Sequence, residues 1–178
     1  MIFHPTIIAG VVVVEPEARR DERGSFARLH CPEEFAAAGH AFVPVQTSLS
    51  HNAGAGTLRG MHFQAARHAE TKLVRVTRGR AFDVCVDLRP DSPTHRRWVG
   101  VELDAASARA VLIPEGIAHG FLTLEDDTDV LYQIASAYAP GHDRGVRWND
   151  RAFGIGWPRA PVVISDRDAT HPDYRPTA

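Results

Sequence analysis

Short apolar or alternating segments follow one another along most of the chain, and each ends at Gly, Pro, Asp or Asn. Segments of this length and spacing are typical of the strands of a sandwich or barrel, because side chains alternate between the two faces of a strand. Strands are predicted at residues 7–14, 25–30, 43–50, 58–64, 72–77, 81–88, 98–103, 110–113, 120–124 and 130–134. The sequence therefore predicts an all-β fold.

One short helix is predicted beside these strands. Pro32 suits the first helical position, Glu33 and Glu34 complement the positive end of the helix dipole, and Gly39 ends the segment. We expect this helix at the periphery. After Tyr138 the chain is rich in Gly, Asp, Arg and Pro, and we expect it to pack over the barrel as an irregular tail.

Length and charge limit the function classes. The 178 residues, 44% of them hydrophobic, suffice for one domain over residues 1–178. The formal charge of −2, with acidic and basic residues interleaved, leaves no extended basic face, so nucleic acid is not expected as a partner. No apolar run approaches the roughly 20 residues of a membrane span, and no signal peptide is recognisable, so a cytoplasmic protein is expected. Cys31 and Cys85 lack the paired spacing of a zinc site and fit two thiols in a reducing compartment.

Strand alternation directs several polar side chains inward. Lys72 shares a face with Val74, and Tyr132 shares a face with Val130. Taken singly, such residues are more often structural than catalytic. Several of them around one lumen indicate a site, because burying such groups in a dry core is costly.

His62 and Arg59 have opposite parity on their predicted strand. Both can line one cavity only if the strand bulges between them, and Gly60 is the expected place for a bulge. A glycine there also leaves room for a ligand.

Residues 113–121 contain a Pro-x-Gly-x-x-His spacing that resembles the second motif of the cupin superfamily of jelly-roll barrels. The motif places His119 at the start of a strand, facing inward. Metal-binding cupins have two histidines one residue apart in their first motif, whereas the corresponding stretch here contains only His62. Fewer than three good ligands suit a catalytic divalent metal poorly. The resemblance implies a cupin-type jelly-roll barrel with short peripheral helices and no metal.

Longer strings resemble the dTDP-4-dehydrorhamnose 3,5-epimerase family over nearly the whole chain. They include DERGSF at 21–26, GTLRGMHFQ at 56–64, KLVRV at 72–76, DVCVDLR at 83–89 and SDRD at 165–168. The resemblance implies removal of a proton from carbon 3, and usually also from carbon 5, of a nucleotide-linked 4-keto-6-deoxyhexose. Reprotonation on the opposite face follows, through an enolate and without a cofactor.

This chemistry needs a base, an acid and a group that stabilises the enolate. The resemblance implies that His62 is the base, Tyr132 the acid and Lys72 the stabilising cation. A carboxylate behind His62 would fix its tautomer. By motif that carboxylate belongs to Asp168, with Asp83 as the alternative.

The resemblance also carries over a set of substrate-binding residues. They are Arg23, Phe26, Gln46, Arg59, Lys72, His119, Tyr138, Asp143 and Arg167. Arg23 and Arg59 suit a pyrophosphate, and Tyr138 suits stacking on a nucleobase. In this family the pocket is often completed by a second subunit, so a homodimer is expected.

Two departures from the family leave the nucleobase open. Arg28 occupies a position where the family usually has glutamate, and Thr47-Ser48 replace a usual Asp-Asn. The number of carbons inverted is open as well. The alternatives are a 3-epimerase or 5-epimerase acting on another nucleotide-linked 4-keto sugar, a metal-dependent cupin such as a dioxygenase, and a non-catalytic binding module.

The other histidines are expected at the surface or in loops. They are His4, His30, His40, His51, His68, His95, His142 and His171.

Overall fold

The computed structural model describes residues 1–64 and 66–175. Its strands are β1 (Ile2–Pro5), β2 (Val12–Glu15), β3 (Arg19–Asp21), β4 (Gly24–Phe26), β5 (Gln46–Asn52), β6 (Thr57–Gln64), β7 (Lys72–Arg78), β8 (Arg80–Asp87), β9 (Trp98–Asp104), β10 (Ala110–Ile113), β11 (Ile117–Thr123), β12 (Thr128–Ile134), β13 (Asp143–Gly145) and β14 (Val163–Ile164). Its helices are α1 (Pro32–Ala37) and α2 (Asp166–Ala169), with a 3-10 turn at Ala66–His68.

Two six-stranded sheets and one hairpin contain these strands. The first sheet has the order β1-β2-β10-β7-β12-β5. The second has the order β13-β6-β11-β8-β9, and β14 pairs with β6 in parallel, whereas the other pairings are antiparallel. Strands β3 and β4 form the separate hairpin. This is a jelly-roll arrangement, so the prediction of an all-β cupin-type barrel with short peripheral helices is confirmed.

The core lies between the two sheets. Val74 and Val130 from the first sheet pack with Cys85 and Phe121 from the second, and each is at most 2% exposed. Tyr132 packs against the same cluster, so the inward direction predicted for it is confirmed. Burial of this apolar surface holds the sheets together.

Helix α1 covers the outer side of the first sheet. Its one buried residue, Phe35, meets the ring of Phe3 edge-on at 5.0 Å and lies 5.9 Å from the ring of Phe42. Pro32 starts the helix and Gly39 follows its end with a φ of 82°, as the sequence predicts.

Several predicted strands have different bounds, and three of them differ for a visible reason or by a large margin. The segment predicted at 7–14 is a strand only from Val12, because Thr6 bonds to the backbone of Val11 and closes a turn at Gly10. The segment at 25–30 ends at Phe26, because its partner strand β3 begins at Arg19, which lies opposite Phe26. The segment at 43–50 begins only at Gln46.

In the described part of the chain, no helix has the length and apolar character needed to cross a membrane.

Candidate active site

His62 and Asp168 form a hydrogen-bonded pair although 106 residues separate them. Asp168 Oδ1 lies 2.7 Å from His62 Nε2, and Asp168 Oδ2 accepts the backbone N–H of Gly60 at 3.1 Å. Burial raises the pKa of Asp168. The hydrogen bond from His62, its charge and the hydrogen bond from the Gly60 N–H act in the other direction, and together they lower the pKa below its usual value. The carboxyl is therefore ionised at neutral pH.

Local structure brings Asp168 to this place. Strand β14 lies parallel to β6, with Ile164 opposite Leu58. The next residue, Ser165, caps helix α2, and its Oγ accepts the N–H of Asp168 at 3.1 Å. The cap fixes Asp168 in the first turn of α2, from which its carboxylate reaches β6.

The predicted bulge in β6 is present. His62 pairs with His119 of β11, but Arg59 pairs with Phe121, so two residues of β6 lie opposite the single residue Gly120. His119 and Phe121 are two apart and share a face, and therefore Arg59 and His62 share a face as well. Gly60, with a φ of 144°, permits the close contact with β11.

Tyr132 lies on the other sheet and meets the strand neighbour of His62. Its ring lies 5.9 Å from the ring of His119, the cross-strand neighbour of His62. Burial and the nearby Asp83 carboxylate raise the pKa of Tyr132, while the charge of Arg59 opposes them. The phenol is therefore protonated at neutral pH.

A second histidine–carboxylate pair lies beside Tyr132. His119 Nε2 is 2.7 Å from Asp83 Oδ2, and both residues are almost fully buried. The sequence offered Asp83 as an alternative partner for His62, but its carboxylate is bonded to His119 instead. Its Oδ1 has no hydrogen-bond partner among the described residues.

Lys72 projects inward from the strand next to Tyr132. It is 9% exposed, and Val74, two residues along its strand, pairs with Tyr132. The ammonium Nζ lies 2.7 Å from Glu70 Oε1, and both side chains are 11% exposed. The sequence analysis did not predict Glu70 as the partner of Lys72. The only signal for it was an acidic residue two positions before the lysine.

His171 lies in the loop that follows α2, within the expectation of a surface or loop position, but its side chain is not free in solvent. Its side chain is 10% exposed, its ring meets that of His62 edge-on at 5.7 Å, and its Nε2 lies 3.6 Å from Asp168 Oδ1. Burial and the neighbouring His62 lower the pKa of His171 despite the opposing charge of Asp168. The nitrogens of His62 and His171 and an Asp168 oxygen lie within 4.8 Å of one another, close enough to hold a metal ion. The only sequence signal was the position of His171 three residues after Asp168.

Other histidines also have partners, two of them in more buried surroundings. His30 Nε2 lies 3.1 Å from the carbonyl oxygen of Phe42, and His95 Nε2 lies 2.8 Å from the hydroxyl of Tyr174. Both contacts join separate segments of the chain, and we interpret them as structural.

Several predicted binding residues lie near α2 and β13. Arg167 forms an ion pair with Asp143, which raises the pKa of Arg167. The phenol of Tyr138, which is 68% exposed, raises this pKa further. Arg59 Nε donates to Asn52 Oδ1 at 2.8 Å. Gln46 donates its amide to the carbonyl of Ser136 at 2.8 Å.

Arg23 and Phe26 lie on the β3–β4 hairpin. Phe26 is 77% exposed, and the Arg23 side chain is 83% exposed and forms an ion pair with Asp21. Arg28 follows the hairpin and donates to Glu34 at 2.7 Å. The contacts of these arginines are thus with acidic residues of their own neighbourhood.

Known proteins resemble this chain over most of its length. A family model described as dTDP-4-dehydrorhamnose 3,5-epimerase matches residues 5–175. The protein of that name from Sinorhizobium fredii is 40% identical over 173 residues, which cover 97% of this chain and 89% of the relative. A dTDP-4-dehydrorhamnose 3-epimerase from Streptomyces niveus is 38% identical over 169 residues, 94% of this chain and 81% of the relative. The crystal structure of the 3,5-epimerase from Bacillus anthracis with TDP and PPi bound has a TM-score of 0.93 and 40% identity, covering 97% of this chain and 99% of that chain.

Proposed function

Because the chain belongs to the dTDP-4-dehydrorhamnose 3,5-epimerase family, we propose that it converts dTDP-4-dehydro-6-deoxyglucose into dTDP-4-dehydrorhamnose. Carbons 3 and 5 flank the ketone at carbon 4, so loss of a proton from either gives an enolate. The observation that carries the proposal is the pair of His62 and Asp168 on one side of the lumen and Tyr132 on the other, with His119 beside both.

His62 is the proposed base. An ionised Asp168 can only accept hydrogen bonds, so His62 Nε2 carries the proton of their 2.7 Å bond and Nδ1 keeps its lone pair. Nδ1 takes the proton from the sugar carbon. Asp168 then stabilises the imidazolium that forms, as the carboxylate of a catalytic triad does.

Tyr132 is the proposed acid. Its raised pKa keeps the phenol protonated, so it can deliver a proton to the ring face opposite His62. The positive charge of Arg59, which favours the phenolate, assists the transfer.

Lys72 is the proposed group that stabilises the enolate. A buried ammonium acts strongly on a developing negative charge, because little water screens it. Glu70 Oε1 lies 2.7 Å from this ammonium. The substrate oxygen therefore shares Lys72 with Glu70 during the reaction.

The binding residues divide into two groups in this proposal. Arg59 and the Arg167–Asp143 pair bind the substrate of their own barrel in this proposal. Arg23 and Phe26, exposed on the hairpin, bind the nucleotide in the barrel of a second subunit, which requires a homodimer. We propose one domain over residues 1–178 and the cytoplasm as the compartment, where Cys31 and Cys85 remain the free thiols seen here.

A single inversion at carbon 3 is the second candidate. It is favoured by the 38% identity to the Streptomyces niveus protein, which is named a 3-epimerase. A substrate with another nucleobase is a third candidate, because Arg28 is basic and exposed.

Incubation in heavy water tests these functions together. The purified protein is mixed with dTDP-, CDP- or GDP-linked 4-keto-6-deoxyglucose, and deuterium is located on the ring by mass spectrometry and NMR. We expect exchange at carbons 3 and 5 of the dTDP sugar. Exchange at carbon 3 alone would identify the 3-epimerase, and tight binding without exchange would identify a binding module. Exchange that is lost to a chelator and restored by iron or manganese would identify a metal-dependent cupin.

A further inference from the structure

The cluster of His62, Asp168 and His171 contains one group that the proposed mechanism does not use. His171 is nine-tenths buried, and its Nε2 has no hydrogen-bond partner among the residues that the structure describes. This nitrogen lies 3.6 Å from Asp168 Oδ1. A buried imidazole nitrogen without a partner needs an explanation, because leaving it unsatisfied costs free energy.

The ring of His171 is held in this orientation. His62 meets it edge-on, and Gly145, the cross-strand neighbour of His62, also lies close to the ring. A side chain at Gly145 would clash, because an added Cβ would lie 2.3 Å from His171 Nε2 itself. The three donor groups are therefore preorganised.

We propose that His62, Asp168 and His171 form a binding site for a divalent transition-metal ion such as Zn²⁺, and that metal bound there stops the epimerase reaction. Tetrahedral ligands about 2.0–2.1 Å from zinc lie roughly 3.4 Å apart. The two contacts of Asp168 Oδ1, 2.7 Å to His62 and 3.6 Å to His171, bracket that spacing. Small side-chain shifts therefore suffice to admit the ion.

The donor set determines the class of metal. Two imidazole nitrogens and one carboxylate suit zinc, copper, nickel or ferrous iron, whereas magnesium and calcium prefer oxygen ligands. The His62 side chain is 39% exposed, so an ion has access from the lumen and water can supply a fourth ligand.

Metal at this site removes the base, in a step that rests on the proposed role of His62. A neutral imidazole carries one proton, which resides on Nε2 while that nitrogen donates to Asp168. Zinc bound to Nε2 forces the proton onto Nδ1, because the Nε2 lone pair is then coordinated. The nitrogen that accepts the substrate proton thereby becomes an N–H donor.

The test uses the full-length protein, first stripped with chelator and then titrated with zinc chloride. Calorimetry measures binding, and deuterium exchange on the dTDP sugar measures turnover at the same zinc concentrations. We expect one zinc per chain, loss of turnover in proportion to zinc bound, recovery with chelator, and no effect of magnesium.

His171→Asn and His171→Gln are the test variants, and His142→Asn is the matched control. His142 stacks on His68 with ring centres 3.8 Å apart, so it belongs to another pair of imidazoles that could bind zinc. In both His171 variants we expect zinc affinity to fall at least about tenfold. Loss of a group that only supports a metal ligand already costs about that much, and His171 is itself a proposed ligand. Each variant's inhibition is compared with its own zinc-free rate, and circular dichroism checks its fold.

Three outcomes would overturn the inference. Absence of zinc binding to the wild-type chain removes the site and leaves the proposed function intact, since turnover is measured without metal. Inhibition that disappears in His142→Asn but persists in the His171 variants assigns the zinc to the other histidine pair. Stoichiometric binding at His171 without loss of turnover contradicts both the inhibition and the role of His62 as the base.

Discussion

At the scale of single residues, environment decides the proposed roles of His62 and Tyr132. His62 has an ionised carboxylate behind it, which fixes its tautomer so that Nδ1 can accept a proton, whereas Tyr132 is partly buried near Asp83, which keeps the phenol protonated. One group therefore accepts a proton and the other donates one at the same pH. Such a difference between two titratable groups is what acid–base catalysis requires.

Replacing either group tests this division. We expect His62→Ala and Tyr132→Phe each to lower kcat by about 10²–10⁴-fold while keeping the fold. Exchange of deuterium into the dTDP sugar and circular dichroism measure the two properties. His4→Ala, at an exposed histidine on β1, serves as the control. A wild-type rate in either variant would show that the corresponding assignment is wrong.

A different carboxylate supports stability. Asp87 is fully buried at the end of β8, and it accepts hydrogen bonds from Arg89 and from the hydroxyls of Ser92 and Thr94. Burial raises the pKa of Asp87, but these bonds outweigh burial and lower it. We expect Asp87→Asn to reduce the free energy of unfolding by about 1.5–3 kcal/mol at pH 7.

The sign of the pH dependence follows from the lowered pKa of Asp87. The stabilisation is fully present above the unfolded value of about 3.9 and is lost as the pH falls below it. Urea denaturation at pH 7 and at pH 3 should therefore show a smaller difference between wild type and variant at pH 3. Asp91→Asn, exposed in the same loop, is the control. A difference that grows in acid would contradict this account.

At the scale of elements, the cap of α2 links local structure to the site. We expect Ser165→Ala to lower stability by about 1 kcal/mol and, by displacing Asp168, to reduce kcat by up to about 10²-fold with a smaller change in KM. Cys31→Ala is the matched control, because Cys31 occupies the same position in α1 but makes no side-chain cap bond. Thermal unfolding and steady-state kinetics measure both effects. Equal kcat values in the two variants would exclude a role for the cap.

The bulge in β6 gives a second prediction at this scale. We expect Gly60→Ala to destabilise the protein by about 1–3 kcal/mol, because φ is positive and an added Cβ would lie 2.6 Å from the Cα of Gly120. The displaced strand should also lower kcat. Gly54→Ala is the control, since an added Cβ there meets nothing within 4 Å. Denaturation curves that coincide for both variants would contradict the prediction.

At the scale of the whole molecule, the exposed β3–β4 hairpin and the sheet edge at β5 are consistent with the proposed homodimer. Strand β5 ends the first sheet, and Leu49 on it is 59% exposed. We expect light scattering to give about twice the chain mass of 19.5 kDa. Leu49→Arg should weaken the dimer, whereas Ile7→Arg, at an equally exposed turn residue, should not. A monomer at micromolar concentration would contradict the proposal.

Much of the fold follows from local pattern. The period of two placed Lys72 and Tyr132 inside the barrel, and the parity conflict between Arg59 and His62 indicated the bulge at Gly60. The shortest elements, such as β14 and α2, were not predicted, because two to four residues contain too little periodicity. Residues 7–11 were wrongly assigned to a strand, since an apolar run does not reveal that Thr6 closes a turn.

The sequence by itself determined which residue types face the lumen, because the alternation of a strand is a property of neighbouring residues. Only the tertiary structure decided which carboxylate serves which histidine. Asp168 reaches His62 because β14 pairs with β6 and Ser165 caps α2, and Asp83 is thereby left to His119. The same long-range packing buries His171 beside the pair. Contacts between distant segments depend on how the sheets close, and no local period encodes that closure.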